Sequence, residues 1–225
     1  SGNDEVRARD INAMFADREV DAIICLRGGY GATRILDRLD YDLIRQNPKI
    51  FIGFSDITAL HIAFLEKCSL ATFHGPMAAA NWASKPLDSF GLESMYRAIM
   101  HAAPAGELAN PPEYARQTIN RGCAEGLLVG GNLTLIAASL GTPWEINTKD
   151  RILFIEEVGE RTYAVDRMLT HLRLAGKFED CAGVVFGDFA DCPVEYPEFG
   201  LTLEEIIRDI VVPCGNPVFT GLRCG

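Results

Sequence analysis

The 225-residue sequence has no C-x-x-C pair, no excess of positive charge, no H-E-x-x-H and no sustained apolar run of membrane-spanning length. Each absence removes a class of function. Seven cysteines, at positions 25, 68, 123, 181, 192, 214 and 224, are scattered singly, so they build neither a disulfide framework nor a zinc knuckle. They read as reduced thiols, which points to the cytoplasm. Twenty-one Lys and Arg against 31 Asp and Glu give a formal charge of −10, the wrong sign for gripping a phosphate backbone, so no nucleic-acid partner is expected. The uncharged stretch from Gly126 to Trp144 is interrupted by Asn132, Pro143 and four glycines and reads as buried soluble structure, with no membrane partner. Without paired cysteines or a spaced carboxylate loop, no metal and no cofactor is called for.

What is present is an ordinary globular composition, 48% hydrophobic and 23% charged, in a chain long enough for one large domain or two small ones. From Asn3 to Phe15 a polar cap, early acidic residues and apolar positions at Val6, Ile11, Met14 and Phe15 predict an amphipathic helix. Val20 to Leu26 reads as a buried parallel strand that stops at the turn Arg27-Gly28-Gly29-Tyr30-Gly31. Helical stretches follow at about Ala32 to Arg38 and Tyr41 to Gln46, then a second strand from Ile50 to Phe54 and a helix from Ile57 to Lys67. Strands and helices alternating across short turns predict a parallel sheet with helical crossovers.

From residue 85 to 117 four prolines surround one helix, Leu92 to His101, which marks a connecting region. Beyond it, Thr118 to Asn120, Cys123 to Leu133 and Arg151 to Glu156 read as strands and turns. The strand Gly183 to Phe186 lies between helices at about Tyr163 to Leu174 and Leu203 to Ile210. The expected organisation is an N-terminal domain over 1–84, the connecting region, and a C-terminal α/β domain over 118–225. Both ends read as cut: the sheet opens on a helix with its first strand missing, and the last apolar run, ending at Gly225, has nothing to cover it.

The sharpest chemical signal is Gly53-Phe54-Ser55-Asp56-Ile57-Thr58, a strand that turns at a serine directly into a helix. Ligands gather at the carboxyl ends of strands in open α/β sheets, and an amide at a helix N-terminus can face a developing oxyanion. The pattern follows the logic of a nucleophile elbow, although Ile57 stands where G-x-S-x-G requires glycine. Ser55 and Asp56 capping a helix would leave the same pattern. The Gly28–Gly31 turn matches neither dinucleotide nor P-loop spacing, yet its bare backbone suits either an oxyanion pocket or an ordinary βα turn. Glu156 and Glu157 end a third apolar strand, in the manner of a carboxylate that orients an imidazole or of a solvated acidic turn. Of the histidines, His61, His101 and His171 fall on helix patterns, and His74, in Phe73-His74-Gly75-Pro76, suits a hydrogen-bonding support.

Taken in order, Arg27 to Gly31, Gly53 to Thr58, Phe73 to Pro76, Gly130-Gly131-Asn132-Leu133 and Phe154 to Glu160 resemble the motifs of the serine LD-carboxypeptidases, a family that includes the microcin C self-immunity peptidases. The resemblance runs over nearly the whole chain. It implies a Rossmann-like N-terminal domain, a C-terminal domain with a β-rich core, and a Ser, Glu, His triad in that chain order. Ser55 matches the nucleophile and Glu156 the acid, with adjacent Glu157 still open. The amides of Asp56 and Gly29 match the oxyanion hole. The family's histidine follows a Gly-His step after the last strand, so it is expected just beyond Gly225, with a rearranged site using His74 as the rival.

The activity implied is removal of the terminal D-alanine from murein tetrapeptide in peptidoglycan recycling, by a cytoplasmic homodimer acting on a small peptide. Arg27 or Arg161 is a candidate partner for the product carboxylate. Two alternatives stand beside this reading. One is a self-immunity-type peptidase acting on a peptidyl nucleotide, for which Trp82 offers a stacking surface. The other is a non-catalytic ligand-binding module in which the Gly28–Gly31 turn cradles an anion.

Overall fold

The computed structural model describes residues 2–83, 88–194, 198 and 200–224, with Ala80 described by its backbone alone. The chain divides into two compact units, Ser1–Ala109 and Asn110–Gly225, and the division falls inside the expected connecting region.

The first unit carries helix α1 (Asp4–Ala16), strand β1 (Ala22–Ile24), a 3-10 segment over Ala32–Arg38, helix α2 (Tyr41–Gln46), strand β2 (Ile50–Gly53), helix α3 (Thr58–Cys68), strand β3 (Phe73–His74) and helix α4 (Ser89–Met100). The three strands form a parallel sheet in the order β1-β2-β3. Local chemistry starts the helices: the Asn3 side chain accepts from the Val6 amide at 2.9 Å, and Asp40 accepts from Leu43 at 2.9 Å. Phe15 of α1, Phe51 of β2 and Phe64 of α3 are all but fully buried and meet edge to face, with ring centroids 5.5 Å apart for Phe15–Phe64 and 5.0 Å for Phe51–Phe64. That aromatic cluster fixes β2 against α3, and the junction between those two elements is where Ser55 lies. The segment after Gly31 winds as 3-10 rather than α, the tighter form usual in short connectors.

The second unit holds strands β4 (Gln117–Asn120), β5 (Leu128–Asn132), β6 (Ile152–Val158), β7 (Gly183–Ala190) and β8 (Val218–Thr220), and helices α5 (Leu133–Ser139), α6 (Thr162–Leu174), α7 (Lys177–Asp180) and α8 (Leu203–Ile210). Its sheet runs β4-β8-β7-β6-β5, parallel except where β4 pairs antiparallel with β8. Strand β6, paired on both sides by β5 and β7, is buried from Leu153 through Glu157, the continuous burial expected of a parallel strand covered on both faces. The β6–β7 register slips between Ile155 and Glu157, so two adjacent glutamates end up buried together at the strand's end.

The sequence predicts strands and turns as far as Leu133; the structure instead starts α5 there. Asn132 makes the switch, because its side-chain oxygen accepts from the Leu135 amide at 3.2 Å and caps a helix out of an apolar run that could equally extend a strand. The fold is otherwise the mixed α/β architecture expected, with a parallel N-terminal sheet and a β-rich second unit. Among the described residues no helix is long and apolar enough to cross a membrane.

Candidate active site

Ser55 opens a short 3-10 turn, Ser55–Ile57, that runs straight into α3. Its φ is +60°, a left-handed conformation that costs a non-glycine residue about 1–3 kcal/mol. A strained serine between a strand and a helix is the geometry of a nucleophile elbow, reached here without glycine at position 57. The room comes from the other side. A Cβ added at Gly53 would lie 2.8 Å from Ile57 Cγ2, so the bare backbone of Gly53 lets the buried Ile57 fold back against the end of β2.

The glycine turn after β1 approaches the same serine. A Cβ at Gly28 would stand 3.0 Å from Ser55 Cβ and 3.1 Å from its Oγ. Bare backbone therefore faces the hydroxyl, and the Gly29 amide takes part in none of the backbone hydrogen bonds of the described residues. Asp56 is buried, and its Oδ2 accepts from the Ala32 amide at 2.9 Å. Arg27 is exposed beside the turn, its Nε donating to the Gly28 carbonyl at 3.3 Å. Trp82 ends the turn Ala78–Trp82 and is 36% exposed.

Two histidines lie close to the end of β2. The Nε2 of buried His61 lies 2.8 Å from the Gly53 carbonyl, which makes that nitrogen the donor, and burial pushes the imidazole pKa down to about 4. His74 pairs with Gly53 across β2 and β3, and burial together with neighbouring His61 pushes it down to about 3. A base this weak is poorly matched to drawing a proton from serine at neutral pH. His101 follows α4 and His171 lies on α6, both exposed.

In the second unit the adjacent glutamates have different surroundings. Glu157 is fully engaged: Oε1 accepts from Asn132 Nδ2 at 2.8 Å and the Val158 amide at 2.9 Å, and Oε2 accepts from the Thr134 amide and hydroxyl, both at 2.8 Å. It ties β6 to the N-terminus of α5. Glu156 is 1% exposed, and its Oε1 has no hydrogen-bond partner among the described residues. Burial first, then the neighbouring Glu157, pushes its pKa up to about 7, with a hydrogen bond from Asn132 pulling the other way.

The C-terminal segment passes this carboxylate. The Asp188 amide donates to the Cys224 carbonyl at 3.0 Å, and Leu222 donates to Phe186 at 3.2 Å. Burial, then the charges of Glu156 and Asp188, pushes the Cys224 thiol up to about 12. Arg161, at the N-cap of α6, is exposed. Among the described residues no three His, Cys, Asp or Glu side chains are grouped to hold a metal ion.

Residues 1–75 match the family model described as the LD-carboxypeptidase N-terminal domain, and residues 125–225 match the LD-carboxypeptidase C-terminal domain. The chain belongs to the LD-carboxypeptidase family. It is 39% identical, over its whole length and 70% of the relative's, to a Bacillus subtilis protein named "Probable murein peptide carboxypeptidase". Among solved structures, the muramoyltetrapeptide carboxypeptidase from Oxalobacter formigenes superposes with a TM-score of 0.83 at 30% identity, covering 100% of this chain and 74% of that one. The microcin C7 self immunity protein MccF superposes with a TM-score of 0.85 at 25% identity, covering 99% and 73%. This LD-carboxypeptidase family member is thus a carboxypeptidase, and the non-catalytic alternative falls away.

Sequence reasoning singled out Ser55, Glu156 and the glycine turn. It missed the Asp56 carboxylate bond to Ala32, the Glu157 network, and the place of Asp188 and Cys224 beside Glu156. The Asp56–Ala32 bond and the bonds from Glu157 to Asn132 and Thr134 join residues 23 or more positions apart, which no local pattern encodes.

Proposed function

We propose that this carboxypeptidase removes the terminal D-alanine from murein tetrapeptide, with Ser55 as its nucleophile. The observation that carries the assignment is the left-handed Ser55 set against a glycine turn, in a chain of this family. Ser55 Oγ attacks the carbonyl between the L-configured centre of the diamino acid and D-alanine, and its proton passes to a histidine. The amides of Gly29 and Asp56 receive the oxyanion. Collapse of the tetrahedral intermediate breaks the C–N bond, the histidine returns the proton to the leaving amine, and free D-alanine departs. Water, deprotonated by the same histidine, then releases the acyl group from Ser55.

The histidine is proposed to follow Gly225, with Glu156 holding its tautomer. Two features support this: the segment ending at Cys224 lies beside Glu156, and Glu156 retains an unpaired buried oxygen whereas Glu157 has none to spare. Arg27 and Arg161 are the candidate partners for the D-alanine carboxylate. Cytoplasmic location and a homodimeric state complete the proposal.

Incubation of the full-length protein with murein tetrapeptide and, separately, with an aminoacyl-sulfamoyl adenylate tests the substrate. Release of free D-alanine from the tetrapeptide, with the adenylate turned over at least tenfold more slowly, is expected. The reverse ranking would move the assignment to a self-immunity-type peptidase, for which exposed Trp82 is the stacking candidate.

A further inference from the structure

One peptide group near Ser55 is held at both ends. The Gly31 carbonyl accepts a hydrogen bond from the guanidinium of Arg7, which reaches across from α1. The Ala32 amide, the other half of the same planar unit, donates to Asp56 Oδ2 at 2.9 Å. The Gly31 carbonyl also accepts from the Arg34 amide at 3.1 Å, and Gly31 and Ala32 are both buried, so the Ala32 amide has no water to fall back on. Gripping the oxygen and the nitrogen of one rigid plane fixes its tilt as well as its position.

We propose that Arg7 and Asp56 are positioning residues for catalysis: by clamping the Gly31–Ala32 peptide they hold the Gly28–Gly31 turn where its amides meet the oxyanion formed at Ser55. The proposal rests on the reading of Ser55 as nucleophile and of the Gly29 and Asp56 amides as oxyanion donors. Asp56 then serves twice, its amide at the reacting oxygen and its carboxylate at the opposing loop, so the elbow and the glycine turn are one mechanical unit.

Three further observations fit. The N-terminal turns of α1 are fastened to the segment following Gly31, since Arg34 holds Asp4 with contacts of 2.9 and 2.7 Å and Arg38 holds Glu5 at 2.5 Å. Gly31 has φ +117°, and a Cβ there would come within 2.6 Å of Arg7 Nη1, so the clamp demands glycine at that position. A guanidinium is also planar, with its donors in a rigid fork, which suits a fixed strut.

The test uses the full-length enzyme with Arg7→Met and Asp56→Ala, their conservative counterparts Arg7→Lys and Asp56→Asn, the Arg7→Met/Asp56→Ala double variant, and Ser55→Ala as control. Displacing preorganised donors by a fraction of an ångström to an ångström should lower kcat by roughly 10- to 100-fold, with KM changed by less than about threefold. Affinity for a phosphonate mimic of the tetrahedral intermediate should fall by the same factor as kcat/KM, a readout that general destabilisation would not move. The conservative variants should recover most of the loss, and the double variant should lose less than the product of the two single effects, because both residues grip one peptide. If Arg7→Met or Asp56→Ala does not fold, the Lys and Asn variants carry the same comparison at smaller amplitude. Folded Arg7→Met and Asp56→Ala variants with kcat within twofold of the parent, or with phosphonate affinity unchanged, would overturn the clamp. Turnover surviving in Ser55→Ala would instead overturn the nucleophile assignment on which it rests.

Discussion

In the first unit Ser55 is held in a left-handed backbone at φ +60°, whereas in the second Glu156 sits within strand β6, where the register with β7 slips, and its cost is electrostatic. The serine's strain is maintained by packing around it: Ile57 folded onto Gly53, the Phe15–Phe51–Phe64 cluster, and the loop tie from Asp56 to Ala32. The glutamate's cost is a buried carboxylate with one oxygen unpartnered, next to a second carboxylate that takes the available donors. Both are expensive arrangements that stability alone would not favour, and both sit at strand ends. A strained backbone and a desolvated charge are two ways to preorganise a group before substrate arrives.

Glu156 and Glu157, adjacent in sequence, should respond to substitution in different ways. Glu156→Gln in the full-length enzyme should lower kcat by about 10³- to 10⁴-fold while leaving the fold intact, because an amide cannot stabilise the imidazolium that forms during acylation. Steady-state kinetics beside a melting curve will show it, and a loss under tenfold would remove Glu156 from the triad. Glu157→Ala should do the opposite to stability: it strands the Thr134 and Val158 amides and the Asn132 side chain, costing roughly 3 kcal/mol or more in a denaturant titration. An unchanged midpoint would mean that the network is not structural.

The smallest effect is in pH. Glu156 has a folded pKa of about 7 against a reference of 4.5, so its ionisation opposes folding. Between those values the native state binds more protons than the unfolded chain, and stability falls as pH rises, by up to about 3 kcal/mol, with no further loss above the folded pKa and none below the unfolded one. Glu156→Gln should flatten that part of the stability profile of the 225-residue chain and raise its melting temperature at pH 8 more than at pH 4. A profile of the same slope in the variant would place the titration elsewhere.

Much of this was legible in sequence, and the limits have physical causes. The β2–α3 junction is readable because an apolar run, a serine and a helix pattern occupy adjacent positions, and the β6 segment Leu153–Phe154–Ile155 reads as a buried parallel strand by composition alone. Helix α5 was not legible, since Leu133-Thr134-Leu135-Ile136 suits either period and the Asn132 cap decides it. Nor could a pattern choose between Glu156 and Glu157. That choice depends on which carboxylate the register slip in β6–β7 turns toward the Thr134 amide, a tertiary fact. His74 reads in sequence as a hydrogen-bonding support, and in the fold its backbone pairs with Gly53 across β2 and β3. Its weak basicity comes from burial, which one residue's context does not reveal.

The central claim is that the Ser55 hydroxyl becomes covalently acylated, and the most direct measurement is intact-protein mass spectrometry of the full-length enzyme after reaction with a fluorophosphonate probe, beside the same reaction on Ser55→Ala. A single adduct that peptide mapping places on Ser55, absent from the alanine variant, is expected, with D-alanine release lost in parallel by about 10⁴-fold or more. An alanine variant that still releases D-alanine at the parent rate, or an adduct mapped to a different serine, would contradict it.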